Sequence, residues 1–194
     1  MTDGKKLIAY LKSKDYRIRA LNIVYLIGAD PDSWEPVQNR MDYWNDPRVV
    51  VRDSGEVLIS NTATADPGRH YEVNPMNSAG CALLALGQHK DGWVLGKHYG
   101  LPALVQRDEL LIYRDKEANG IRRGTPRLES GNGINQHGCN GRDGGNTIDR
   151  WSAGCMVGKY WKSHLAFIQL CRDSGNTSFD TTLVNSKELQ GFTT

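Results

Sequence analysis

Gly133-Ile134-Asn135-Gln136-His137-Gly138-Cys139 leads through Gly144-Gly145 to Trp151-Ser152-Ala153-Gly154-Cys155-Met156-Val157. Residues 133–137 read as a strand that delivers His137 to one end of a sheet. Residues 138–150 read as a glycine-rich loop, and Cys155 opens the next strand. A cysteine nucleophile needs a base to take its proton and backbone N–H groups to hold the developing oxyanion. His137 is the candidate base and Cys155 the candidate nucleophile. Gly154 has no side chain, so the backbone there is expected to approach a substrate carbonyl closely.

The fourteen positions 138–151 separate His137 from Ser152, and Ser152-Ala153-Gly154-Cys155 closes the stretch. This pattern resembles the L,D-transpeptidase catalytic-domain family, also called the YkuD family. Its signature is a His, fourteen to seventeen residues, Ser or Thr, one residue, Gly and Cys. The resemblance covers residues 133–158. It implies that Cys155 attacks peptide carbonyls of bacterial peptidoglycan after activation by His137. It also implies that a backbone carbonyl, that of Gly138, fixes the imidazole tautomer, and that Gly138 and Ala153 border the substrate. The family usually places a second His before the Gly and an Arg or Asn two residues after the Cys. Ala153 and Val157 stand there instead. That departure moves the expectation from cross-linking to hydrolysis. Small phage and bacterial proteins with a Trp-Ser-Ala-Gly-Cys ending and an upstream Ala-Leu-Val-Gln segment are similar too; Leu101 to Gln106 corresponds to that segment.

Outside the stretch, 194 residues suffice for one domain with its own core. Twenty-one glycines and few long periodic runs favour short strands joined by turns. A formal net charge of +2 gives no electrostatic case for a nucleic-acid partner. No run is long enough for a transmembrane helix. The start, Met1-Thr2-Asp3-Gly4-Lys5-Lys6, lacks the apolar core of a secretory signal. A wall enzyme made in the cytoplasm in this way is expected to reach the wall through phage lysis or another export route. Cys81, Cys139, Cys155 and Cys171 form no CxxC pair, which argues against a zinc ribbon or redox motif. Two disulfides are the less favoured alternative.

Leu7, Ile8 and Leu11 fall at helical spacing, so residues 1–16 hold a packing helix with Asp3 as N-cap. Residues 18–28 read as a buried strand, and 31–47 as an aromatic-pinned loop. Residues 48–60 read as a hairpin, 70–73 as a strand and 81–86 as a central strand. Residues 87–92 read as a turn, with strands at 93–95, 103–106 and 110–114. Residues 115–132 read as a polar surface loop; its Arg122, Arg123 and Arg127 are either simply solvated, the favoured reading, or meet stem-peptide carboxylates. A helix over 159–172 and a last strand over 177–184 complete a mainly β (α+β) domain. It is expected to form a β-sandwich-like L,D-transpeptidase fold with a few flanking helices, and one domain spans 1–194.

Three further site readings follow. Ser152 either bonds near Cys155 or holds the turn. His98, between glycines, orients substrate or replaces the missing second His. Cys139 shares a strand face with His137 and is read as a structural thiol. His137, Cys139, Asp143 and a remote His offer zinc-type ligands, but not at a zinc spacing, so no metal and no cofactor are expected. The expected activity is a cysteine-dependent, endolysin-like peptidase acting on stem peptides through a thioacyl-enzyme. The alternatives are a cross-linking L,D-transpeptidase and a non-catalytic wall-binding or virion structural module. A catalytic Cys155 is expected to label faster than Cys81 or Cys171, with a pH midpoint below that of a free thiol.

Overall fold

The computed structural model describes residues 3–193. In chain order its elements begin with helix α1 (Asp3–Ser13) and strands β1 (Asn22–Ile27), β2 (Arg48–Val51), β3 (Val57–Asn61) and β4 (Ala63–Thr64). Helix α2 (Arg69–Val73) precedes strands β5 (Cys81–Leu84), β6 (Gly87–His98), β7 (Leu101–Gln106) and β8 (Leu110–Asp115). Strands β9 (Arg127–Glu129), β10 (Gln136–Gly138) and β11 (Met156–Gly158) follow, then α3 (Trp161–Asp173), β12 (Phe179–Asn185) and α4 (Ser186–Gly191).

The chain is mostly β, with a few short helices. One mixed sheet of nine strands runs β3-β2-β1-β12-β6-β7-β10-β11-β4, and a separate three-stranded sheet runs β5-β8-β9. The edge strands of the large sheet, β3 and β4, are separated in sequence by Thr62 alone, so the sheet rolls until its two edges meet. The Thr62 carbonyl accepts from the Lys159 N–H at 2.9 Å, which ties this junction to the end of β11.

β1 is buried along its whole length because both its faces are covered. Ile23, Tyr25 and Ile27 join Phe167, Ile168 and Cys171 of α3 in one core. Val24 and Leu26, pointing the other way, join Leu7, Ile8 and Leu11 of α1 and Leu189 of α4 in a second. β12 pairs parallel with β1, and β2 pairs antiparallel on its other side.

Several expectations need correction. Asp3 is already helical, not a cap, and Thr2 before it lies outside the described residues. Residues 70–73 form α2, not a strand: the N–H groups of Tyr71 and Glu72 both turn back to the Gly68 carbonyl. β5 lies at an edge of the small sheet, not in its centre. Residues 87–92 are no turn. β6 runs straight through them, absorbing the extra residues in a bulge where Asp91 has φ 54° and the register against β12 shifts. Arg17, Arg19 and the Ser178 hydroxyl all reach the Asp91 carboxylate and hold the bulge. The β6–β7 hairpin closes on Tyr99-Gly100, both at positive φ (48° and 80°), so His98 sits at the very end of its strand. β9 and α4 were not foreseen.

Candidate active site

β10 and β11 pair in parallel, with His137 opposite Val157 and Gly138 opposite Gly158. Parallel neighbours cannot be joined by a hairpin and need a long crossover. Residues 139–155 supply it, which gives the His-to-Cys spacing a structural cause. The crossover is pinned at several points. Trp44 Nε1 donates to the Gly145 carbonyl at 2.9 Å, the Gly144 N–H to the Lys159 carbonyl at 2.8 Å, and the Trp161 N–H to the Asp143 carboxylate at 2.8 Å.

Its last turn presents Cys155 just ahead of β11. The buried Ser152 hydroxyl donates to the Cys155 carbonyl at 2.7 Å and accepts from the Gly154 N–H at 3.1 Å. Ser152 therefore holds the turn. Gly154 has φ 124°, and a Cβ there would lie 2.8 Å from the Ala82 carbonyl oxygen. Its bareness accommodates β5, not a substrate, and its N–H is already taken by Ser152. Among the described residues the Cys155 N–H has no partner, which leaves it free to donate to a bound group.

The Cys155 sulfur accepts from the Asn135 N–H at 3.4 Å and donates to the Gly133 carbonyl at 3.4 Å. His137 lies 2.8 Å, through Nδ1, from the Gly138 carbonyl. A carbonyl only accepts, so Nδ1 carries the proton and Nε2 is the free basic nitrogen. Gly138 is itself required to be bare: a Cβ would sit 2.8 Å from the Trp161 ring and 2.9 Å from that of His164.

His98 stacks on His137, with ring centroids 4.1 Å apart and planes 21° from parallel. Asn135 fixes it. The Asn135 Oδ1 accepts from the Gln106 N–H at 2.9 Å, so its amide nitrogen faces His98 Nδ1, 3.0 Å away. The proton of neutral His98 is then on Nε2. Asn135 thus touches His98 with its side chain and Cys155 with its backbone.

Cys155, His137 and His98 line one cavity of about 410 Å³ together with Tyr99, Trp151 and Arg150. Ala153 also borders it, while Ser152, Gly138 and Gly154 stand behind its wall. Cys155 keeps part of its surface open to this cavity, yet the atoms crowding the sulfur matter more. Burial pushes its thiol up to about 11, with the Asn135 N–H pulling weakly the other way. This corrects the expectation of an acidic thiol. His137 is pushed down to about 4, chiefly by burial, then by His98, against the pull of the Gly138 carbonyl. The resting pair at neutral pH is a neutral thiol and a neutral imidazole.

Arg127 is not brought to this cavity; it borders a separate cleft with Lys116 and Arg123. Arg122 is half-buried and paired with the buried Asp66 at 2.6 Å. Cys139 packs in an apolar cluster with Trp44, Ile148 and Val157, and no metal-binding group of three or more His, Cys, Asp or Glu forms among the described residues. All four cysteines are free thiols. Sequence reasoning missed Asn135, Tyr99, Trp151 and Arg150 as site residues. Asn135 and Trp151 lie inside the stretch already singled out, and the only available signal was that proximity. The chain matches no protein-family model, no curated protein and no solved structure.

Proposed function

We propose that the protein is a cysteine-dependent acyl-transfer enzyme acting on peptidoglycan stem peptides, similar in chemistry to the L,D-transpeptidase (YkuD) family. The observation that carries this reading is that Cys155 and His137 line one open cavity, with the imidazole tautomer set by Gly138 so that Nε2 is the base. Because both groups rest neutral, the proton moves as the bond forms. His137 Nε2 accepts the thiol proton while the sulfur adds to the peptide carbonyl. The Cys155 N–H holds the oxyanion, and the departing amine takes the proton back from His137. Water, deprotonated by the same nitrogen, then resolves the thioacyl-enzyme.

Hydrolysis is favoured over cross-linking because Ala153 and Val157 replace the second His and the Arg or Asn of the wall transpeptidases. A phage-lysis role at the cell wall follows from the same reading; no helix among the described residues is long and apolar enough to cross a membrane. One observation favours the non-catalytic alternative, a wall-binding or virion module: the thiol raised to about 11 is not held as a ready nucleophile.

Digestion of purified murein followed by mass spectrometry of the products separates these readings. New amines and carboxyls mean hydrolysis, new cross-linked dimers mean transfer, and unchanged murein means binding alone. Cys155→Ala abolishes either reaction if the assignment holds.

A further inference from the structure

Trp151 lines the cavity of Cys155 and also an open cleft beside it, and so does Arg150; Arg142 and Asn140 complete the cleft. The two spaces are therefore one continuous surface, with the indole at the junction. Arg142 lies over the Trp151 ring, 5.1 Å from its centroid, and Arg150 is exposed at the cavity mouth. Among the described residues neither guanidinium makes an ion pair or hydrogen bond. Two carboxylates of this region are already engaged with backbone: Asp42 accepts from the N–H groups of Arg69 and Asp149, and Asp143 from that of Trp161. Nor is the platform loose. Trp151 and Cys155 pack against the cluster of Trp44, Cys139, Ile148 and Val157, and the Trp151 N–H donates to the Ile148 carbonyl at 2.9 Å.

We propose that Arg150 and Arg142, which border the cleft that Trp151 joins to the cavity, form an anion subsite that recognises a free carboxylate of the peptide bound at Cys155. The physical case is local. Two unpaired guanidiniums beside an aromatic face suit a planar carboxylate better than a compact inorganic ion, because each planar fork can take the carboxylate oxygens in a paired, charge-assisted contact. Arg150 borders both spaces, so the carboxylate it meets belongs to a residue next to the attacked carbonyl. This subsite rests on the reading of the cavity as a peptide-acyl site and names the substrate class of that site: acidic peptides in preference to their amidated forms. It also gives the cationic role to the crossover loop in place of Arg127 on the small sheet.

The test uses two synthetic stem tetrapeptides, identical except that the carboxyl groups of one are carboxylates and those of the other carboxamides. Calorimetric binding to the full-length Cys155→Ala variant reads recognition without turnover. The acidic peptide is expected to bind about tenfold tighter than its amide at low salt. That ratio falls toward one in Arg150→Gln and in Arg142→Gln backgrounds, and it shrinks as salt rises. Equal binding of the two peptides, or a ratio that survives both substitutions, overturns the subsite. Loss of the ratio in a Lys116→Gln, Arg127→Gln double variant, with the arginine variants unaffected, overturns it too by placing the anion on the other cleft. Wild-type turnover of the pair is measured alongside. Preferential binding without any cleavage keeps the subsite and removes the catalytic reading, whereas cleavage without preference does the reverse.

Discussion

The imidazole of His98, the last residue of β6, lies flat against that of His137, with ring centroids 4.1 Å apart and planes 21° from parallel. His98 belongs to the β6–β7 hairpin and His137 to β10, and β7 lies between β6 and β10 in the sheet. The stack covers one face of the His137 ring, and burial, then the neighbouring imidazole, opposes a positive charge there. Replacing His98 with Ala is expected to raise the titration point of His137 from about 4 toward the ordinary 6.5. The acidic limb of kcat/KM moves up with it. His98→Phe, which keeps a flat covering face, moves it less. A pH–rate profile, or NMR titration of the His137 ring, checks both.

Thiol labelling reads the Cys155 environment directly. Cys155 and Cys81 both border the cavity, but of the four cysteines only Cys155 keeps part of its surface open, and its thiol, at about 11, lies below the values of about 12 for Cys81, Cys139 and Cys171. Alkylation of the native protein, mapped by peptide mass spectrometry, is expected to modify Cys155 first. The rate should still be climbing above pH 9, not levelling near neutrality. A plateau near pH 7 would mean a thiolate–imidazolium pair that the packed walls do not favour.

The turn before Cys155 has a measurable worth. Ser152→Ala removes a buried hydroxyl that bonds on both sides, leaving the Gly154 N–H and the Cys155 carbonyl without it. A loss of about 1–3 kcal/mol in unfolding free energy is expected. Gly154→Ala should cost more, because it adds a Cβ at 2.8 Å from the Ala82 carbonyl to a backbone at φ 124°. Chemical denaturation compares the two.

Buried histidines and a buried carboxyl give opposite pH slopes. His137 and His164 are held near 4 and 3, below the ordinary 6.5, mainly by burial. The unfolded chain takes up their protons first, so this stability is complete above pH 6.5 and is lost as pH falls toward 4. Glu72 is 2 % exposed, neither of its carboxyl oxygens has a partner among the described residues, and burial raises it to about 8. Its folded form keeps a proton that the unfolded form has lost, so its contribution declines as pH rises from 4.5 through 8. Glu72→Gln is therefore expected to raise Tm at pH 9 more than at pH 5, by thermal melts at both values.

The strands with unbroken apolar runs were legible in the sequence. Residues 22–27 and 48–51 announce themselves because both faces are covered, and the α3 helix shows its period through Trp161, Leu165 and Ile168. The crossover from His137 to Cys155 was legible as spacing, since a parallel pair needs that length of chain. What stayed hidden depends on pairing at a distance. The polar residues 87–92 read as a turn because only β12 and the Asp91–arginine cluster reveal the bulge that carries the strand through. Gly154 looked like a substrate-facing glycine because nothing local shows that β5 presses on it. The stack of His98 on His137 was anticipated only as a role for His98, because the sheet order that brings them together is not written in either segment.

The most direct measurement is a search for the thioacyl-enzyme. The full-length protein is incubated with a stem peptide, quenched in acid and analysed by intact mass and peptide mapping. The account predicts an acyl adduct on the peptide containing Cys155 in the wild type, formed far more slowly in His137→Gln, which lacks the base that takes the thiol proton, and absent from Cys155→Ala. Stem-peptide cleavage by Cys155→Ala at the wild-type rate, or an adduct mapped to Cys81, would contradict it.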